Sequence, residues 1–241
     1  MLFSRKRRAP DSRDLTSLAN YYGSDKGTKA GNAHDYTRLY SFLFEHLRHT
    51  EFDMLEIGLL RPHADPHMRT VRGRFAGEAP SVRMWLDYFP NAHCHGIDIS
   101  DFSSVSIDRF TFHQADLSDP PSIRELASRL PSLKIVIDDA SHASFHQQVA
   151  FASFFPKVSP NGFYVIEDLE WQPEFEVSLP RTTKTANVFT DFLAGHALRV
   201  ETASEDENAA MASEIGRIFV HRERVGRQAC GAIKMIAIEK K

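Results

Sequence analysis

The sequence predicts an α/β fold: a mostly parallel sheet with helices on both faces, an N-terminal helical cap and a closing antiparallel hairpin. Three observations carry this. Short apolar runs alternate with helical patterns, the runs end in glycine or acids, and the last two strand-like stretches are joined by a basic turn, Arg222 to Arg227. At 241 residues with 42% hydrophobic content, the chain can bury one large core without a second domain. Residues 14–241 therefore read as one domain, and 1–13, with Ser4-Arg5-Lys6-Arg7-Arg8, as a disordered basic tail.

Asp14 to Tyr22 reads as a short helix, capped by Asp14 and closed at Gly23. The glycine-bracketed loop Gly23-Ser24-Asp25-Lys26-Gly27-Thr28 follows. Locally it is a turn; its functional reading is that Lys26 or the backbone N–H groups reach an anionic ligand group. Tyr36 to Leu47 has Leu39, Phe42, Leu43 and Leu47 on one side, as an amphipathic helix would.

Phe52 to Gly58 is the first strand, and Gly58 at its end lets a ligand approach the backbone. Leu59-Leu60-Arg61-Pro62 follows in place of two further spaced glycines, which argues against a dinucleotide cofactor. Residues 61–80 form a long aperiodic loop at the ligand end, and Ser81 caps a helix running through Trp85 to Pro90. His95 to Ile99 is the second strand, with Asp98 where α/β nucleotide folds grip ribose hydroxyls; Asp116 ends the third. Ser122 to Leu130 is a helix.

The centre of the chain is Lys134 to Asp139, then a helix over 143–158, then Gly162 to Ile166. This strand, helix, strand unit has the size of a right-handed parallel crossover. Each strand ends in paired acids, Asp138/Asp139 and Glu167/Asp168. Parallel neighbours place these together at the carboxyl edge, where they would repel unless a cation sat between them. All-oxygen ligands select a hard ion, most simply Mg2+. The alternative is that the acids are ordinary strand ends, with Asp138 or Ser141 capping the next helix. His142 sits beside the first pair, and Trp171, just past the second, walls a substrate pocket.

Thr185 to Leu193 reads as a helix closed by Gly195, Glu201 to Asn208 as a solvated acidic loop, and Glu214 to His221 with Ala232 to Glu239 as the final hairpin. A net charge of -3 leaves no broad basic surface for nucleic acid, and no apolar segment is long enough to span a membrane. Cys94 and Cys230 lack metal-ligand spacing and read as reduced packing residues of a cytoplasmic protein; His93-Cys94-His95 finds no second ligand cluster for zinc. Exposed leading helices leave self-association open.

Glu56-Ile57-Gly58, Asp98, Asp116, Asp139 and Glu167/Asp168 at successive strand ends resemble the Rossmann-like class I S-adenosylmethionine-dependent methyltransferases. More narrowly, Gly23-Ser24-Asp25-Lys26-Gly27, Arg83-Met84-Trp85, Ile137-Asp138-Asp139-Ala140-Ser141-His142 and Tyr164-Val165-Ile166-Glu167-Asp168-Leu169 are similar to the bacterial metal-dependent sugar O-methyltransferases. The resemblance spans residues 14–172 and fades after Trp171. It implies Mg2+ on Asp139, Glu167 and Asp168, with His142 as general base. It also implies S-adenosyl-L-methionine near Glu56 and Gly58, its ribose on Asp98, its adenine at Asp116 and its carboxylate at Lys26.

The chemistry fits that resemblance. A sugar hydroxyl is a poor nucleophile and a sulfonium methyl a ready electrophile, so an ion that orients neighbouring hydroxyls and a histidine that takes the proton address the harder half. The acceptor expected is a small molecule or oligosaccharide. The rivals are a catechol or vicinal-diol O-methyltransferase and a non-catalytic binding protein on the same fold.

Overall fold

A computed structural model of the chain describes residues 12–30, 33–59, 79–225 and 229–241, with side chains of 223–225, 229 and 230 left aside. Most of the basic tail and of the loop over 61–80 lies outside the described residues, as do residues 226–227 of the basic turn. The chain groups into two units: residues 1–52, 60–94 and 107–110, and residues 53–59, 95–106 and 111–241.

Among its described residues the first unit gathers three α-helices. Helix α1 (Leu15–Tyr22) begins where Asp14 accepts the Ser17 amide and ends at Gly23 with φ 76°, both as the sequence predicts. Helix α2 (Thr37–Phe44) continues as a 3-10 turn (Glu45–Leu47). Its buried face differs from the expected one: Tyr36, Tyr40, Leu43, Phe44 and Leu47 are buried, whereas Phe42 is 73% exposed. Aromatic packing overrides the leucine pattern, since Tyr40 stacks on Phe44 and both meet Trp85 edge-on. Helix α3 (Pro80–Tyr88) starts on Pro80 after Ala79 in a left-handed conformation, so Ser81 lies inside the helix and does not cap it. Arg109 satisfies the carbonyls at the end of α3, donating to Leu86, Phe89 and Ala92 at 2.6–3.0 Å.

The second unit is organised by the sheet, all of which but His93, Cys94 and Phe110 it contains; the strands are β1 (Asp53–Ile57), β2 (His93–Asp98), β3 (Phe110–Gln114), β4 (Leu133–Asp138), β5 (Val158–Ile166), β6 (Ile215–Val225) and β7 (Ala229–Lys240). They lie in the order β3-β2-β1-β4-β5-β7-β6. Strands β1, β4 and β5 are parallel neighbours, and β7 runs antiparallel to both β5 and β6. The registers Ile57↔Asp138 and Asp138↔Ile166 end three strands at one level, so Gly58, Asp139 and Glu167 leave the sheet side by side. That strand order, with its C-terminal antiparallel pair, is the class I arrangement the sequence predicts.

Helices α4 (Pro120–Arg129), α5 (Ser144–Phe154), α6 (Thr185–Leu193) and α7 (Glu205–Glu214) complete the unit. Every residue of helix α5 is buried. It packs against α4, α6 and strands β4 and β5, and the ring of Phe151 alone meets Phe155, Tyr164 and Phe189. Helix α7 replaces the expected acidic loop. Ser204 caps it and Glu207 returns a bond to the Ser204 amide, a reciprocal pair that starts a helix in spite of its polar composition.

Candidate active site

Of the acids that leave the sheet, one in each pair is sealed in and the other reaches the surface layer. Asp138 is 2% exposed and Glu167 1%, whereas the Asp168 side chain keeps 15%. Burial pushes the Asp138 carboxyl up to about 8, opposed by the Ala140 backbone N–H and raised further by Asp139; the Tyr164 hydroxyl lies 3.5 Å from it.

Asp139, His142 and Asp168 converge. One ligand atom from each lies within 4.8 Å of the others, and all three are only partly buried. The His142 Nε2 and Asp168 Oδ2 atoms are 3.9 Å apart, beyond hydrogen-bond length and suited to a third party between them. Glu167, sealed beside Asp168, is not a member of this group. Two of the three stand in a left-handed backbone conformation, His142 at φ 62° and Asp168 at φ 50°. Such positions cost on the order of 1–3 kcal/mol and persist where the surroundings hold a side chain in place for a task.

A further observation points to a ligand. The Nδ1 atom of His142 is buried and has no hydrogen-bond partner among the described residues. A ring nitrogen in that state loses about 1–3 kcal/mol of hydration unless something bound meets it. The two carboxylates, Asp139 and Asp168, are oxygen donors of the kind a hard cation such as Mg2+ takes, and the His142 imidazole stands beside them. Neither Asp138 nor Ser141 caps the next helix: α5 begins at Ser144 after the N-cap residue Ala143 with no side-chain cap, Ser141 Oγ accepts the Ala143 amide at 3.4 Å, and the Ser144 amide goes to Glu176.

The remaining expected residues of the second unit line the same edge. Gly58 has φ 91°, and a Cβ there would lie 2.2 Å from the Asp139 carbonyl oxygen. The room that the missing side chain leaves there is taken by the main chain of the loop after β4. Glu56 is fully buried in β1. Asp98 accepts the Leu59 amide on one oxygen and the Ser100 amide on the other, each at 2.7 Å, which staples the turn after β1 to the end of β2. Asp116 accepts the Ser118 amide at 2.8 Å. Lys26 belongs to the first unit, where its side chain is buried and its carbonyl accepts the Thr37 amide.

Trp171 is 53% exposed and meets the His142 ring edge-on, with centroids 5.4 Å apart. The segment that carries it is tied down: its amide donates to the Asp168 carbonyl, and Gln172 bonds the His142 carbonyl and the Ser144 hydroxyl. A residue that sequence reasoning passed over is His146. Its Nδ1 lies 2.7 Å from Ser141 Oγ and its Nε2 2.9 Å from Ser118 Oγ, and burial lowers its pKa. The helical pattern of α5 gave it no distinction, because the contacts that mark it come from two other loops. A cavity of about 630 Å³, lined by Phe192, Leu198, Val200 and Asn208 among others, contains none of these residues.

No protein-family model matches the chain. It is 34% identical over 220 residues, 88% of its length, to the 8-demethyl-8-alpha-L-rhamnosyl tetracenomycin-C 2'-O-methyltransferase of Streptomyces olivaceus, covering 54% of that protein. It is 35% identical over 156 residues to the mycinamicin VI 2''-O-methyltransferase of Micromonospora griseorubida, covering 65% of this chain and 36% of that one. The chain thus spans about half or less of the curated relatives it matches. Among solved structures, MycE methyltransferase from the mycinamycin biosynthetic pathway, in complex with Mg and SAH, superposes with a TM-score of 0.70 at 26% identity, over 96% of this chain and 55% of that one.

Proposed function

We propose, for a chain that has the class I methyltransferase fold and is homologous to bacterial sugar O-methyltransferases, that it transfers a methyl group from S-adenosyl-L-methionine to a hydroxyl of a sugar in a Mg2+-dependent reaction. The observation that carries this is the convergence of Asp139, His142 and Asp168 at the end of β4 and β5. Two relatives named for O-methylation of a sugar on a natural product, and a fold neighbour holding Mg and SAH, support the same reading.

Asp139 and Asp168 would hold the ion, with Glu167 behind them as the third acid of the motif; bound there, Mg2+ would supply Lewis-acid polarisation of the acceptor hydroxyl. S-adenosyl-L-methionine would lie along the strand ends, with Glu56 and Gly58 near its methionine portion. Asp98 has two lone-pair sites to spare for ribose hydroxyls after its two amide bonds, and Asp116 stands at the adenine end. His142 takes the acceptor proton as the oxygen attacks the methyl; its ring has one nitrogen facing the acids and one with no partner among the described residues. Trp171 holds that ring from the edge and offers an exposed aromatic wall to the sugar. The acceptor is a small molecule or an oligosaccharide.

The test is a panel of glycosylated acceptors and catechols with labelled cofactor. Methylated sugar that disappears with EDTA and with Asp139→Ala, while cofactor binding persists, is the expected result. Catechol turnover without sugar turnover would move the acceptor class, and cofactor binding without transfer to any acceptor would favour a binding protein.

A further inference from the structure

We propose that His146 is a positioning residue: it ties the loop bearing Asp116 to the loop bearing Asp139 and His142, so that the adenine end of the cofactor and the metal ligands are held in one arrangement. This rests on the methyltransferase reading above. The geometry is a strut. From the first turn of α5, one imidazole nitrogen reaches the Ser141 hydroxyl at 2.7 Å and the other reaches the Ser118 hydroxyl at 2.9 Å.

Each end of the strut is fastened to a site residue. The Ser118 amide donates to Asp116 at 2.8 Å, and Ser141 lies between Asp139 and His142 in sequence. Both ring nitrogens are used, which leaves neither to act as base or ligand. A neutral imidazole needs one hydroxyl to donate and the other to accept, and it supplies that polarity at a fixed span. His146 is only 7% exposed, and an apolar side chain would fill such a space without the desolvation cost. What the histidine adds is a link between two loops that the sheet leaves separate, one after β3 and one after β4.

The test uses the full chain with S-adenosylhomocysteine and MgCl2 as probes, read by titration calorimetry and thermal melting. His146→Phe removes both bonds and is expected to weaken binding of S-adenosylhomocysteine, and of Mg2+ in its presence, by roughly tenfold each, the scale of one or two net hydrogen bonds. Ser118→Ala should weaken the nucleoside ligand and spare Mg2+, Ser141→Ala should do the reverse, and His146→Gln, whose amide both donates and accepts, should recover most of the loss. Should His146→Phe fail to fold, the two serine variants decide alone. Variants that melt early yet keep wild-type dissociation constants for both probes would show a merely structural histidine and overturn the proposal. A wild-type chain that binds neither probe would instead remove the methyltransferase reading, and the strut's role with it.

Discussion

Gly58 and Gly195 form a matched pair for measuring how tightly the loop after β4 is packed. Both have left-handed backbones, φ 91° and φ 94°. A Cβ on Gly195 meets nothing within 4 Å, whereas one on Gly58 would lie 2.2 Å from the Asp139 carbonyl oxygen and 2.7 Å from the Ala140 Cα, both main-chain atoms. Gly195→Ala therefore incurs the backbone cost alone, about 1–2 kcal/mol. Gly58→Ala incurs the same cost and must also displace the start of the loop, about 1–3 kcal/mol more. For a chain of this size, about 2–4 °C of Tm per kcal/mol puts the loss near 2–8 °C for Gly195→Ala and roughly 4–20 °C for Gly58→Ala. Only Gly58→Ala should also weaken Mg2+ binding, since Asp139 moves with its carbonyl. Differential scanning fluorimetry with and without MgCl2 measures both effects. Equal losses for the two variants, with Mg2+ stabilisation intact in each, would refute the steric argument.

Four other outcomes follow from the same structure. Asp168→Gly frees a left-handed position from its side chain, so Tm without metal should hold or rise while the gain on adding Mg2+, about 2.7 kcal/mol at a hundredfold excess over Kd, is lost; a retained gain would exclude Asp168 as a ligand. His142→Ala should slow single-turnover methyl transfer by roughly 10²–10⁴-fold with Mg2+ affinity little changed, and a near-normal rate removes it as the base. Ser204→Ala should cost about 1 kcal/mol by uncapping α7. The partner Glu207 is held down to about 2 by the Arg124 guanidinium and the Ser204 amide. Its contribution is complete above its ordinary value near 4.5 and is lost as pH falls towards 2; with the side chain 44% exposed, it amounts to about 1 kcal/mol or less. Acid melts of wild type and Glu207→Gln that converge below pH 3 are the expected pattern, and parallel curves would contradict it.

The central crossover was legible because its signals are local and repeated. An apolar run, paired acids, a helical stretch and a second run with paired acids fix β4, α5 and β5, and the parallel register then brings Asp139 and Asp168 together. The sequence could not show which member of each pair stays sealed, because that depends on what covers the strand ends. It also misread Phe42, whose expected place is taken by Tyr40 and Phe44 packing on Trp85, with Tyr36 against Tyr40. Helix α7 was missed although its signal was present: Ser204 and Glu207 stand at capping-box spacing, but only Met211 in the helix is buried, so no apolar stripe announced it. His146 was invisible for a different reason, since its meaning lies in serines 5 and 28 residues away.

The strand β7 has a consequence for how the protein matures. It pairs with β5 and then continues past it, where the Lys234 carbonyl accepts the Leu169 amide and the Lys234 ammonium meets Glu170 at 3.2 Å. The backbone immediately after Asp168 is thus braced by residues some sixty-five positions further along. On a growing polypeptide the acidic pocket can be outlined early, but its far wall stays loose until β7 slots between β5 and β6. Pairing over such a separation is slow, so the brace behind Asp168 forms only once the hairpin has closed.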